Sequence, residues 1–560
     1  MKNKTKQTAA YAALAVLAVG IGAGYYAWST HKSSGASPLA PATPAQGSLT
    51  PVSDYVAHPQ SGTPVRSFTL TAEEKTITLK PGKTVQALTF NGTVPGPLLT
   101  VRQGELVKVT VHNKLSVPIT VHWHGVPVPG SQDGVPGLTQ DPIQPGGTYV
   151  YRFVAAKAGT YWYHSHVNSV QEIGQGLFGG IVVLPKNQTT PAPDKDYTLL
   201  LHEWSTSSTT SGDGSMGSMG SMSGMDSMSM GAMDNMHMDN MTGMGNMQMG
   251  SPPPRTNGFQ LLNSDKAALN EMANTYDTFT VNETASGRTV LPAKPGQTVR
   301  LRIVNAGNMT HLMTIVGTPF KVVAMDGQDI SNPTPIENQL LPIGAGQRYD
   351  VEFTMPKSGS VQLVSGDPDA TDRMELRATI GDTMAPNMGS MPEGQNVQNF
   401  PWFDFTHYGS GAPSGRQTFT LSQKFDKTFN MVLGVGMNKQ GMVYTINGKA
   451  FPNVPPFVVK AGDMVKIHIE NKSAYIHPMH LHGHTFQVLT RDGKPVTGSP
   501  VFMDTLEVLP GETYDIAFKA DNPGLWMLHC HDLHHASAGM DVVLQYTGVT
   551  DPYNMKDMSE

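Results

Sequence analysis

The sequence predicts an all-β chain built from three β-sandwich domains, and three observations predict it. Gly 58 and Pro 42 fill about 18% of the 560 residues against a usual ~12%, while charged residues make up 15% against ~25%. That balance favours strands and turns over solvent-facing helices. The chain is also too long for one core of ordinary size, so several compact units are expected. Most informative, it repeats itself. A turn followed by an alternating strand occurs at 104–113 (GELVKVTVHN), 296–305 (GQTVRLRIVN) and 462–471 (GDMVKIHIEN). A second block, Tyr149, Phe153 and Gly159, returns with identical offsets as Tyr349, Phe353 and Gly359 and as Tyr514, Phe518 and Gly524. The glycines that open the copies lie 192 and 166 residues apart, too far for a solenoid and suited to whole β-sandwich domains.

Taken from the N-terminus, Lys2, Lys4 and Lys6 precede an almost uninterrupted apolar run at 9–28, long enough to cross a bilayer as a helix. Residues 1–28 are expected to be a signal peptide or a membrane anchor. The length of the run, and Tyr25, Tyr26 and Trp28 as interface residues, favour the anchor. In both cases export is expected, to the cell envelope or periplasm, and no cysteine stands close after the run to carry a lipid. Residues 29–64, rich in Ser, Ala, Pro and Gly, read as a flexible linker. Domain one is expected at 65–187 and domain two at 196–382, the latter interrupted by a methionine-rich insert at 216–249. A linker at 383–414 leads to domain three at 415–548. The net charge of −6, with no basic run beyond the N-terminus, argues against nucleic acid as a partner. A monomer is expected. The single cysteine, Cys530, excludes an intrachain disulfide, so its thiol needs another explanation.

The register of the repeats separates the domains chemically. Nine and eleven residues after the shared Asn stand His122 and His124 in the first copy and His480 and His482 in the third, against Thr314 and Val316 in the second. Five and seven residues after the shared late Gly stand His164 and His166, then His529 and His531, against Val364 and Gly366. Eight histidines thus form four pairs spaced by two, and on a strand that spacing puts both rings of a pair on one face. A lone His-X-His is more often a satisfied buried pair than a ligand pair. Four at homologous positions point to metal, although imidazole suits Zn, Cu, Fe and Ni alike.

Cys530 narrows the choice. Lying between His529 and His531, it faces the other way, into its own domain, where the first domain has Ser165. Domain three adds His477, His535 and Met540, where the register of the first domain gives Ile119, Val170 and Gln175. Two imidazoles, a thiolate and a weak thioether are the ligand set of a blue-copper electron-transfer centre.

The motifs His-Trp-His-Gly (122–125), His-Ser-His (164–166), His-Pro-Met-His-Leu-His-Gly-His (477–484) and His-Cys-His-X3-His-X4-Met (529–540) together resemble those of three-domain multicopper oxidases, over residues 65 to 548. The resemblance implies cupredoxin-like Greek-key β-sandwiches and four copper ions. It implies that the type 1 copper takes His477, Cys530 and His535 with Met540 axial, and that the type 2 copper takes His122 and His480. One type 3 copper would take His124, His164 and His531, the other His166, His482 and His529. It implies four one-electron oxidations of a reductant coupled to reduction of O2 to water, with Cys530, His529 and His531 as the electron path between the sites. Asp133 resembles one of the acidic residues that serve the family as proton donors. A second carboxylate, often found six residues after the cysteine, is here Ala536, with Asp532 and His534 nearby.

The insert bears on the reductant. Residues 216–249 hold 13 of the chain's 33 methionines, mostly every third residue, among Gly, Ser, Asn and Asp, with His237. Such a composition is expected to be disordered, and its thioethers are soft ligands that prefer Cu(I). A cuprous oxidase acting in copper tolerance is the expectation. Against it, the Met and Asp that some cuprous oxidases carry just before the type 1 His-Pro-X-His motif are Ser473 and Tyr475 here. The competing readings are a laccase-like oxidase of phenols and aromatic amines and, from another class, a copper-storage protein without catalysis. A full set of twelve ligands argues against storage.

Overall fold

The computed structural model describes residues 49–187, 191–206, 265, 268, 269, 276–285, 289–367, 376–381, 396–411, 416–439 and 441–553. The apolar run 9–28 and the methionine-rich segment 216–249 lie outside the described residues. Among the described residues, no helix is long and apolar enough to cross a membrane.

Strands dominate, and the two repeated blocks are partners in all three copies. The strand Leu106–Asn113 runs parallel to Val65–Lys80 and antiparallel to Thr148–Val154. Thr298–Asn305 does the same between Lys195–Trp204 and Arg348–Thr354, and Met464–Asn471 between Lys427–Asn438 and Thr513–Lys519. Even the register is shared: Val107 faces Phe153, Val299 faces Phe353 and Val465 faces Phe518. Alternate apolar residues drive this. Val107, Val109 and Val111, and likewise Val465, Ile467 and Ile469, turn inward and are buried. Each copy closes its sandwich with a second sheet, containing Gly159–His164, Val361–Ser365 or Leu525–Cys530. The fold is all-β, as the composition and repeat predict.

The shared Asn explains itself in the structure. Asn113, Asn305 and Asn471 are each at most 1% exposed. In every copy the side-chain amide donates to the carbonyl four residues on (Val117, Met309, Tyr475; 2.7–2.8 Å) and to a second carbonyl across the loop (Ile143, Ile343, Val508; 2.8–2.9 Å). Its Oδ1 accepts from the N–H two residues on, at 2.9–3.1 Å. One side chain therefore satisfies three buried backbone groups and fixes the loop that delivers the next strand.

Two connections differ from their sequence reading. The segment to residue 64 was expected to be a flexible linker, yet Thr50–Pro51 pairs with Val549–Thr550 and Val52 is fully buried beside Gly130. One apolar side chain and a two-residue ladder dock it. The linker expected at 383–414 is packed over 396–411, because Trp402, Phe403, Phe405 and Tyr408 are all buried. Tyr408 Oη also donates to Thr334 O (2.7 Å) and accepts from Val322 N (3.0 Å).

Candidate metal centre

The His pairs meet between the first and third sandwiches. His122 bridges antiparallel to His164, and His480 pairs with His529 at the homologous register. Both pairs face one point. The His122 ring stacks on His482 at 3.9 Å and His124 on His480 at 3.7 Å, each contact joining the two domains. His531 lies 4.8 Å from His124 and 5.5 Å from His164, ring centre to ring centre.

Ring nitrogens are sorted by their partners. Nδ1 of His122 bonds to Asp133 O (2.8 Å), that of His164 to Ser165 O (2.8 Å) and that of His480 to Asp504 O (3.0 Å). The Nε2 of each of these three, and both nitrogens of His531, are buried without a hydrogen-bond partner. Orphaned nitrogens of this kind are costly unless a ligand takes them. Burial first, and the neighbouring imidazoles second, push His124, His164, His482, His529 and His531 well below the ordinary histidine range, and His166 down to about 3. Neutral imidazoles are what a metal binds. Three-residue groups with donor atoms within 4.8 Å of one another include His166/His482/His529, His122/His124/His164, His122/His480/His482 and His124/His480/Asp504. The donors fit a multinuclear metal cluster.

Asp133 sits against this cluster, fully buried, with Oδ2 2.9 Å from His482 Nδ1 and Oδ1 3.3 Å from His122 Nδ1. Asp532 does not reach the cluster. It caps the short helix Leu533–Ser537, accepting from His534 N and His535 N.

On the opposite face of the strand Leu525–Cys530, Cys530 Sγ lies 3.6 Å from both His477 Nδ1 and His535 Nδ1. All three are buried, and burial leads the lowering of both imidazoles, His535 to about 3. Met540 is fully buried and tied by backbone bonds to Cys530 and His535. Ser473 Oγ holds His477 Nε2 at 2.7 Å, while the Tyr444 ring covers His535 at 3.9 Å. Thiolate, two imidazoles and a nearby thioether suit a type 1 copper.

Sequence reasoning left the middle domain chemically empty, and here the structure adds residues. Arg348, with no exposed surface, forks onto Asp504 (2.7 and 2.5 Å) and also bonds Thr160 O and Gly346 O. Burial would raise the Asp504 carboxyl, but the guanidinium outweighs it and holds Asp504 ionised. Asp504 Oδ1 stands 3.4 Å from His480 Nδ1 and 3.3 Å from His124 Nε2, and Thr505 Oγ1 lies 3.1 Å from the same two nitrogens. Gly346, at φ +81°, backs onto the cluster: a Cβ there would meet His124 and His531 at 2.9–3.0 Å. The repeat does not mark Arg348 or Asp504, because neither residue type recurs at its position: Thr148 and Thr513 stand where the second copy has Arg348.

Three stretches of the chain, 71–188, 254–364 and 413–548, match the family described as multicopper oxidase. The multicopper oxidase MmcO of Mycobacterium tuberculosis is 31% identical over 494 residues, 88% of each chain. The chain belongs to the multicopper oxidase family. Among other relatives of this multicopper oxidase, a copper resistance protein A homolog of Pseudomonas syringae pv. tomato is 25% identical, over 84% of this chain and 91% of its own. The solved laccase of Botrytis aclada shares the fold, with a TM-score of 0.62 at 24% identity, over 88% of this chain and 90% of its own. As a multicopper oxidase the protein uses four coppers, of types 1, 2 and 3, to oxidise a reductant with O2.

Proposed function

We propose that this multicopper oxidase is a cuprous oxidase, converting Cu(I) to Cu(II). His477, Cys530 and His535 would hold the type 1 copper, with Met540 as a weaker fourth ligand, and His122 and His480 the type 2 copper. His124, His164 and His531 would hold one type 3 copper, and His166, His482 and His529 the other. Copper held by these residues would supply one-electron redox chemistry, four such oxidations matching the reduction of one dioxygen to two waters. Cys530 joins the two sites, since its Sγ faces His477 and His535 while its carbonyl bonds His529 Nδ1 at 3.0 Å. Asp133 orients His482 and is placed to hand on a proton at Oδ2.

One observation carries the choice of reductant. Both described flanks of the methionine segment pack beside type 1 ligands. Trp204 shares an apolar cluster with Leu533, two residues before His535, and Leu269 shares another with Ile476, next to His477. Thr206 and Asp277 clamp the flanks together through Thr206 Oγ1 at 2.7 Å. Met216 is ten residues from Thr206, a span of at most about 35 Å when extended. The described ends of the segment therefore lie beside the electron entry, and the thioethers of its sequence select Cu(I). The charged N-terminus and apolar run support an extracytoplasmic location.

Deleting 216–249 tests the reading. With copper content matched, oxidation of a phenol should persist near the original rate, while Cu(I) oxidation should weaken several-fold when a chelator competes for the metal. Equal Cu(I) kinetics with and without the segment would favour the laccase reading. Separately, Met540→Leu should raise the type 1 potential, because a hydrocarbon of similar volume withdraws a weak donor from Cu(II). A redox titration giving an unchanged or lower potential would remove Met540 from the ligand set.

A further inference from the structure

The middle domain keeps half of a type 1 site in a different chemical form. His311 stands six residues after Asn305, as His477 stands six after Asn471, and Ser365 stands six after Gly359, as Cys530 stands six after Gly524. In place of a thiolate and a second imidazole, His311 has two carboxylates. Its Nε2 bonds Glu203 Oε1 at 2.6 Å, and its Nδ1 lies 3.3 Å from Asp367 Oδ2. Ser365 Oγ and Leu312 N hold Asp367 in turn, at 2.7 and 2.8 Å. Burial opposes a charge on His311, but Glu203 and Asp367 outweigh it and hold the imidazole up at about 9. The group is a closed, buried Glu–His–Asp triplet, without the open donors a metal would need.

Glu203 does more than pair with His311. Its carboxylate accepts from Asn308 N (3.0 Å) and Met309 N (3.2 Å), gripping the turn at 307–309. Only glycine at 307 allows this, since a Cβ there would stand 1.8 Å from Glu203 Oε2. From the gripped turn, the Asn308 side chain reaches the third domain. Its Oδ1 accepts from Leu533 N (2.7 Å) and its Nδ2 donates to Asp532 Oδ1 (3.3 Å). That same Asp532 oxygen caps the N–H groups of His534 and His535.

We propose that Glu203, His311 and Asn308 are positioning residues for the type 1 site: the middle-domain triplet fixes the 307–309 turn, and Asn308 transfers that fixed point to the helix that carries His535. This rests on His535 being a type 1 ligand, and the chain of contacts is continuous, Asp367 to His311 to Glu203 to Asn308 to Asp532 to His535. Buried ion triplets are costly to assemble and costly to break, so the anchor is stiff. Partners beyond the ligands set ring orientation and tune the metal.

The test uses the full chain reconstituted to four coppers, with Asn308→Ser, Glu203→Gln and the double variant. Asn308→Ser cuts the bridge between domains, together with the side-chain bond to Tyr276, and Glu203→Gln loosens the turn. Each should alter the blue absorption and the type 1 copper hyperfine splitting, shift the type 1 potential in the same direction, and lower phenol turnover about tenfold. The type 2 electron paramagnetic signal should stay unchanged. Because both variants act on one link, the double variant should shift the potential no more than the larger single change. Unaltered type 1 spectra and potential in Asn308→Ser would overturn the proposal, as would additive shifts, and a lower melting temperature alone would reduce the triplet to a stability element. Should Glu203→Gln fail to fold, Asn308→Ser decides by itself. Loss of the type 1 signature in His535→Ala confirms the ligand on which the proposal rests, so a failure of that assignment is read separately.

Discussion

Cys530→Ser should abolish the intense blue absorption and reduce the oxidation of every substrate to background, Cu(I) and phenols alike. The residue is fully buried, 3.6 Å from two imidazole nitrogens, and serine fills nearly the same volume. The fold should therefore survive. What is lost is the thiolate, whose covalency with copper gives the colour, and the sulfur path towards His529 and His531. The eight clustered histidines are untouched, so the variant should still bind about three coppers. Absorption spectroscopy with metal analysis checks this. A blue variant, or one that turns over, would refute the assignment of Cys530.

Arg348→Met should be the most destabilising single change at the site. It leaves Asp504 buried, with no exposed surface and without its counter-ion, and the expected cost of breaking such a pair is about 3–5 kcal/mol. The carboxyl would then take up a proton or move, and both His480 and His124 would lose an oriented neighbour. The type 2 electron paramagnetic signal should fall while the blue band persists, because the type 1 ligands lie on the other face of the strand. Arg348→Lys keeps charge but not the fork and should fall in between. Wild-type stability with a full type 2 signal in Arg348→Met would sink the argument.

These two variants mark what could and could not be read in advance. Cys530 and the eight paired histidines were legible because repeat and register are one-dimensional: strand alternation turns a spacing of two into a shared face, and homologous copies align the faces. The three-fold sheet topology was legible for the same reason. Arg348, Asp504 and Thr505 were not, because they act across domain borders, 156 residues apart in the case of Arg348 and Asp504, and no spacing rule records such a meeting. The docked segment at 50–55 and the aromatic strap at 400–408 were hidden for a related cause. Their Pro, Gly and Ser content reads as linker, while the few apolar anchors that pin them show only against the surface they meet.

The cluster draws its donors from both ends of the described chain, with His122 in the first sandwich and His531 in the third. Metal bound there cross-links positions about 400 residues apart, and closing so long a loop removes much of the unfolded chain's freedom. No shorter fragment can hold it. A ribosome that has released only the first two sandwiches has released half a binding site, so copper can fill the cluster only after the strand Leu525–Cys530 and His531 have emerged. Loading then becomes a record of completed folding, and a truncated or misfolded copy stays colourless.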